Sequence, residues 1–208
     1  MGQVRLPALI PYDPALLDDG DGLDGVELDG VDLDADLAGL GLVGCALRRC
    51  RLDGAELSRA HLTETVLTGC DAASLDAPRS SWRSVEVSGS RIGSWVAYES
   101  DWRSVRLEGT KIDYLNARAA VWRDVDLRGC RIGELDLGDA RVERLRLDGC
   151  TVGTLSVGHA RLSDVDLRGA RLEVVEGLTG LAGTWITSAQ LTGLAPSIAA
   201  ALGIAVQD

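Results

Sequence analysis

Every fifth residue from Leu37 to Leu172 is apolar, without exception over 28 positions. The series runs Leu37, Leu42, Leu47, Leu52, Leu57, Leu62 and Leu67, then through Trp82, Trp102 and Trp122, to Leu162, Leu167 and Leu172. At an apolar fraction of 46%, chance would give such a run about a few times in ten billion. A period of five suits neither regular element. On an α-helix it advances the side chain by about 500° and the stripe wanders around the axis. On a strand an odd step alternates between faces. Only a chain that turns every five residues keeps all these side chains inside. The residues two before each centre agree with a narrow interior, since Cys45, Cys50, Ala55, Ala60, Thr65 and Cys70 are all small. Leu23, Leu28 and Leu33 extend the series upstream, one residue out of phase.

A second period counts the sides. WRSV at 82–85 returns as WRSV at 102–105 and WRDV at 122–125, and VSGSRIG at 87–93 returns as LEGTKID, LRGCRIG, LDGCTVG and LRGARLE. The step is 20 residues, or four pentapeptides, so each turn has four sides. Gly69, Gly89, Gly109, Gly129, Gly149 and Gly169 then stack at one corner, where a positive φ is expected. The repeats make almost eight coils, and the ~4.8 Å spacing of paired strands sets a column roughly 35–40 Å long. The architecture is a solenoid.

Segments such as AELSR at 55–59, AHLTE at 60–64 and ARLSD at 160–164 resemble the motif of the pentapeptide-repeat family, Ala-Asp/Asn-Leu-X-X. The resemblance covers about residues 22–175. It implies an all-β fold, a right-handed quadrilateral β-helix (a β-solenoid) of about eight coils. The chain departs from the motif in lacking Phe and in often carrying Val or Leu two before the centre, as at Val85, Val105, Leu115 and Leu135. Three segments are expected: an N-terminal cap over 1–21, the β-helix over 22–175, and a helical C-terminal cap over 176–208. Thr187–Leu191 reads as one helix start, and Pro196 as an early position of a second helix over 197–202.

Charge narrows the function classes. The chain has 21 Lys and Arg against 32 Asp and Glu, a net of −11. Direct binding to nucleic acid or anionic lipid needs a basic face, so neither is expected as the primary role. No export signal is apparent, and the cytoplasm is the expected compartment. The charge-free stretch 177–207 is interrupted by Pro and Gly, and its most apolar part is short for a membrane span. Five cysteines in no CxxC pattern argue against both a disulfide framework and a zinc site. Cys50, Cys70, Cys130 and Cys150 fall on one inward row and are expected to be small buried thiols. His61 and His159 are far apart. No catalytic constellation, phosphate loop or cofactor motif emerges, so no cofactor is expected and the chain reads as a non-enzyme.

Function must then lie on the outward positions. One side carries the rows Glu86, Arg106, Asp126, Arg146, Asp166 and Ser88, Glu108, Arg128, Asp148, Arg168, whose alternating signs read as structural. Arg91, Lys111 and Arg131 line up on another side, with Arg171 beyond Thr151, and Arg83, Arg103 and Arg123 form a second basic row. These rows either meet an acidic partner or pair with Asp101, Asp113 and Asp124. Residues 1–47 hold ten acids against the single base Arg5. Asp24, Glu27, Asp29, Asp32, Asp34 and Asp36 of this cluster are candidate partner-binding residues, alongside Arg91, Lys111 and Arg131. The resemblance implies two roles: a protein-interaction scaffold or adaptor, or an acidic mimic of duplex DNA that occupies DNA gyrase or topoisomerase IV and gives antibiotic resistance. It also implies homodimerisation through the C-terminal cap.

Overall fold

The computed structural model describes residues 4–17 and 22–206. The chain winds into a β-solenoid of about nine turns, closed at its C-terminal end by one α-helix. Its strands form one 18-stranded sheet. Successive turns lie in parallel register 20 residues apart, as in Arg91↔Lys111, Ile92↔Ile112 and Trp102↔Trp122. The additional turn beyond the eight of the repeat comes from the flanks. Ile10–Pro11 pairs with Val26 and Glu27, and Thr184–Trp185 with Val165 and Asp166. The phase step between Leu33 and Leu37 is absorbed at one corner. Before it the register is 19, as in Leu23↔Leu42 and Asp32↔Arg51; after it, 20, as in Asp36↔Glu56.

The centres of the pentapeptides are buried along the whole column, except Leu162 and Leu172, which are half-buried where the cap meets the last coils. Midway up, the interior is filled by Trp82, Trp95, Trp102 and Trp122, all 0% exposed. Their rings form a chain with centroid separations of 4.6 to 5.6 Å, and Trp102 stacks on Trp122 at 8°. The Trp82 indole N–H donates to Ser80 Oγ at 2.7 Å. Side chains two before the centres add more: Cys45, Val85, Val105 and Val125 on one row, Ser90, Thr110 and the other four cysteines on another.

Three of the four corners in each central coil turn through the left-handed region. Arg79, Ser84 and Gly89 do so in one coil and Ala119, Asp124 and Gly129 two coils on, with φ between 53° and 58°. The fourth corner lies inside Arg91–Val96 and its equivalents, with no left-handed residue. Gly69, Gly89, Gly109, Gly129 and Gly149 have the positive φ expected of them, but Gly169 does not. The register slips there, Asp148 facing Gly169, and the strand Val165–Glu176 runs straight through the corner. A left-handed Ala costs about 1–2 kcal/mol, more than the ~0.5–1 kcal/mol that glycine loses through its unfolded-state freedom. Ala119→Gly (φ 54°) is therefore expected to raise the thermal midpoint by about 1–3 °C, whereas Ala117→Gly, in the core, should lower it. Differential scanning calorimetry of the pair separates the two effects.

The N-terminal segment does more than cover the first coil. Ile10 N–H donates to Gly25 O at 2.8 Å, while the Val4 N–H reaches Glu86 Oε1 at 3.0 Å, three turns higher. Residues 4–10 thus lie lengthwise across the coils as an arm. Pro7 rests on the corner at Gly44, where a Cβ would press on its ring at 3.0 Å.

At the other end a single helix, Ser188–Ala201, replaces the two expected. It opens with a reciprocal cap: Gln190 N–H donates to Thr187 Oγ1, and Thr187 N–H to Gln190 Oε1. Pro196 lies inside it. Its fixed φ is helical, and the Thr192 carbonyl it cannot bond belongs to an exposed residue open to water. Gln190 Nε2 donates to the carbonyls of Leu167 and Ala170, both at 2.8 Å, satisfying the last coil's free edge. Leu194 is buried against that coil, while Leu191 and Leu202 are exposed. No helix among the described residues is long and apolar enough to cross a membrane.

Candidate interaction surfaces

Chemistry-bearing side chains divide between a filled interior and four outer faces. Inside are the five free cysteines, all buried. Cys50, Cys70, Cys130 and Cys150 each donate to the carbonyl of a leucine in the coil below, at 3.3 to 3.5 Å. Thr65 does the same through its hydroxyl at 2.9 Å. The thiols therefore act as small, weakly hydrogen-bonding core residues. Burial pushes the Cys45 thiol above its ordinary range, and thiolate reactivity falls accordingly. All five are expected to resist alkylation in the folded protein and to react together once guanidinium unfolds it. Fast labelling of any one at zero denaturant would contradict its placement.

The outer rows on one side neutralise themselves. Arg106 bonds Glu86 across coils at 3.1 Å. Arg128 bonds Asp126, and Arg168 bonds Asp166, within coils, at 2.6 and 2.9 Å. The Arg168 guanidinium holds the Asp166 carboxyl down at about 2 and stands over the exposed Trp185 ring at 5.3 Å.

The acidic N-terminal candidates separate into two groups. Glu27, Asp29 and Asp32 pair with Arg48, Arg49 and Arg51 of the following coil. Asp36 instead accepts from the Ala38 N–H and stands in register with Glu56, which stands in register with Asp76. None of these three has a basic partner among the described residues, so they form a bare acidic ladder. A 20-residue step from Asp36 names Glu56 and Asp76 in the sequence. Asp34 packs beside Gly54, whose Cβ would lie 2.6 Å from its Oδ1. Asp24 is exposed on the strand Leu23–Asp24. Asp18, Asp19 and Asp21 lie outside the described residues.

Arg91, Lys111 and Arg131 do share one row, in register on adjacent strands. Lys111 pairs with Asp113 at 3.0 Å. Arg91 lies above Asp71 in the ladder. Arg131 lies between Lys111 and Thr151, with no ion pair among the described residues. Beside it runs an open trough of about 410 Å³, lined by Lys111, Asp113, Arg131, Gly133, Gly153 and Glu173 among others. In the second basic row, Arg103 pairs with Asp101 and Arg123 with Glu143, while Asp124 goes to Arg144. Arg83 has no ion pair among the described residues.

A filled, four-sided column of parallel coils with its polar groups in straight outer rows defines a repeat solenoid. The family model described as pentapeptide repeats (8 copies) matches residues 42–72 of the chain. Among solved structures it is similar to a trypsin-treated form of QnrB1, a plasmid-mediated fluoroquinolone resistance protein, at 16% identity and a TM-score of 0.39, over 88% of this chain and 99% of that one. It is similar to HetL, a pentapeptide-repeat protein involved in heterocyst differentiation regulation from the cyanobacterium Nostoc sp. strain PCC 7120, at 17% identity and a TM-score of 0.30, over 90% and 93%. No curated protein matches the sequence.

Proposed function

We propose that this protein is a non-catalytic interaction rod that binds another protein through its charged faces. One observation carries the reading. The charged side chains stand on the outer faces in straight rows, while the interior is packed with Leu, Val, Trp and small residues. Such a column presents rigid, evenly spaced charge, which suits recognition and steering of a partner. The test is affinity capture with three baits: the wild type, the acidic ladder neutralised (D36N/E56Q/D76N), and the basic row reversed (R91E/K111E/R131E). A partner kept by the wild type and lost with one face alone supports the reading. A partner held equally by all three speaks against it.

A second reading, mimicry of duplex DNA toward DNA gyrase or another type II topoisomerase, draws on the bare ladder Asp36–Glu56–Asp76 in a chain of net −11. Carboxylates stacked at about 4.8 Å offer a dense anionic line. The measurement is gyrase supercoiling with protein titrated at two salt concentrations, with and without a fluoroquinolone. Salt-sensitive inhibition or drug protection that disappears in D36N/E56Q/D76N would make this the better account. The exposed Leu191, Leu202 and Ile204 at the cap are the surface through which two copies would pair, and Leu202→Glu should then halve the mass measured by light scattering.

A further inference from the structure

Cations on the face that carries Arg91 follow a rule. Each has a carboxylate within its own coil two residues on, or directly beside it in the ladder. Arg51 stands beside Asp32, to which it bonds at 3.1 Å, and also beside Asp71. Arg91 stands beside Asp71. Lys111 bonds Asp113 at 3.0 Å, and Arg171 approaches Glu173 at 3.7 Å. Arg131 breaks the rule. Its ladder neighbours are Lys111 and Thr151, a cation and a hydroxyl. Two residues on, where Arg51, Lys111 and Arg171 have Asp53, Asp113 and Glu173, stands Gly133, just as Gly93 follows Arg91, whose carboxylate is Asp71 in the ladder. The next coil repeats the gap with Gly153.

Those glycines leave a bare floor. A Cβ at Gly133 would lie 2.4 Å from Asp113 O, and one at Gly153 2.5 Å from Gly133 O. The result is the trough of about 410 Å³, with Lys111 and Arg131 along one wall. It leads toward a second hollow of about 300 Å³ between Arg171, Glu173 and the cap helix at Gln190, Gly193 and Leu194. Lys111 and Arg131 thus line the trough, and Arg171, one coil beyond Thr151, lies in the hollow at the helix.

We infer that this trough binds an extended acidic segment of a partner protein, with one of its carboxylates taking the place left empty beside Arg131. The inference rests on the interaction-rod reading and names the partner's chemistry. An open, elongated channel fits an extended chain, whose same-face side chains recur at about 6.6–7 Å, within reach of arginines spaced by one or two coils. Arg131 supplies the paired N–H donors that a carboxylate matches, and the Thr151 hydroxyl stands next to it. A nucleic acid fits poorly. Its continuous phosphates would meet Asp113 and Glu173 in the same trough and a chain of net −11.

Fluorescence anisotropy with the full-length protein tests this, using a fluorescein-labelled peptide of alternating glutamate and threonine. The same peptide with glutamine for glutamate, and a labelled oligothymidylate, serve as comparison probes. Binding of the glutamate peptide is expected to weaken with salt. Arg131→Glu, and Thr151→Asp, which supplies the missing carboxylate from within the chain, are each expected to weaken it about tenfold, the loss of one charge-assisted pair. Arg83→Glu, at an arginine on another face with no ion pair among the described residues, should change it little. Thermal melts of each variant establish that it is folded; Arg131 is exposed and Thr151 half-buried, and neither belongs to the buried core.

Equal affinity of wild type and Thr151→Asp overturns the inference. So does equal binding of the glutamine peptide, or tighter binding of the oligothymidylate. Loss in Arg83→Glu but not in Arg131→Glu would place the binding on the other face, rejecting the trough while leaving the interaction rod standing. No binding by the wild type rejects the trough alone, because the capture experiment decides the wider reading through other faces.

Discussion

Leu107→Asp is expected to break the column at its middle. Leu107 is 0% exposed and lies in register between Val87 and Leu127. The substitution removes about 1.5–3 kcal/mol of side-chain burial and places a carboxylate where nothing can pair with it, which costs several kcal/mol more. The sum rivals the whole stability of a typical domain, about 5–15 kcal/mol. Because each coil touches only its neighbours, the lesion need not unfold the array in one step. Circular dichroism during urea titration should show either no folded baseline or a split transition. Glu108→Ala, one residue away and outward, should stay within about 0.5 kcal/mol of the wild type. Equal midpoints for the two variants would refute the assigned register.

Trp102→Ala should have the next largest effect. Trp102 meets Trp82, Trp95 and Trp122 at 5.6, 5.2 and 4.6 Å and is fully buried. Cutting an aromatic side chain of this size from a rigid core costs about 3–5 kcal/mol, since parallel strands on both sides hold the hole open. The stacked rings should also produce a strong exciton signal in near-ultraviolet circular dichroism. That signal is expected to collapse in Trp102→Ala, since this ring touches all three others, but to persist in Trp185→Ala, whose ring is exposed. A loss below about 1 kcal/mol, or an unchanged spectrum, would show that the rings are not packed against one another.

These two residues were readable from sequence because interior positions obey a strict period. A column this narrow admits one kind of side chain at each inward place, so the five-residue series names Leu107 and Trp102 without coordinates. The corners were less legible. Gly89 and Gly169 sit at equivalent steps, yet only the first turns through positive φ, because the register slip at Asp148 and Gly169 leaves no periodic trace. The outer faces were legible as rows and not as sites. Arg91, Lys111 and Arg131 look alike in sequence; what sets Arg131 apart is that it has no carboxylate beside it in the ladder, standing between Lys111 and Thr151. Pairing likewise separates Asp32, bonded to Arg51, from Asp36, which heads a bare ladder. Solvent-facing charges obey no packing rule, so their partners had to be seen. Pro196 failed for a different reason, since its disruptive effect on a helix depends on whether the orphaned carbonyl can reach water.

The lengthwise arm has a mechanical consequence. A load applied at the amino end first reaches the bond from Val4 to Glu86, which lies three turns inside the column rather than at its edge. The arm must peel away across several corners before tension falls on the outermost rung. Pulled from both ends in optical tweezers, the molecule should therefore release a short, low-force extension first. It should then yield in increments of one 20-residue turn, each rung tearing only after the one outside it has gone. Severing the arm should abolish the first event and leave the later steps intact, so that this protein would extend like a coil spring with its safety catch removed.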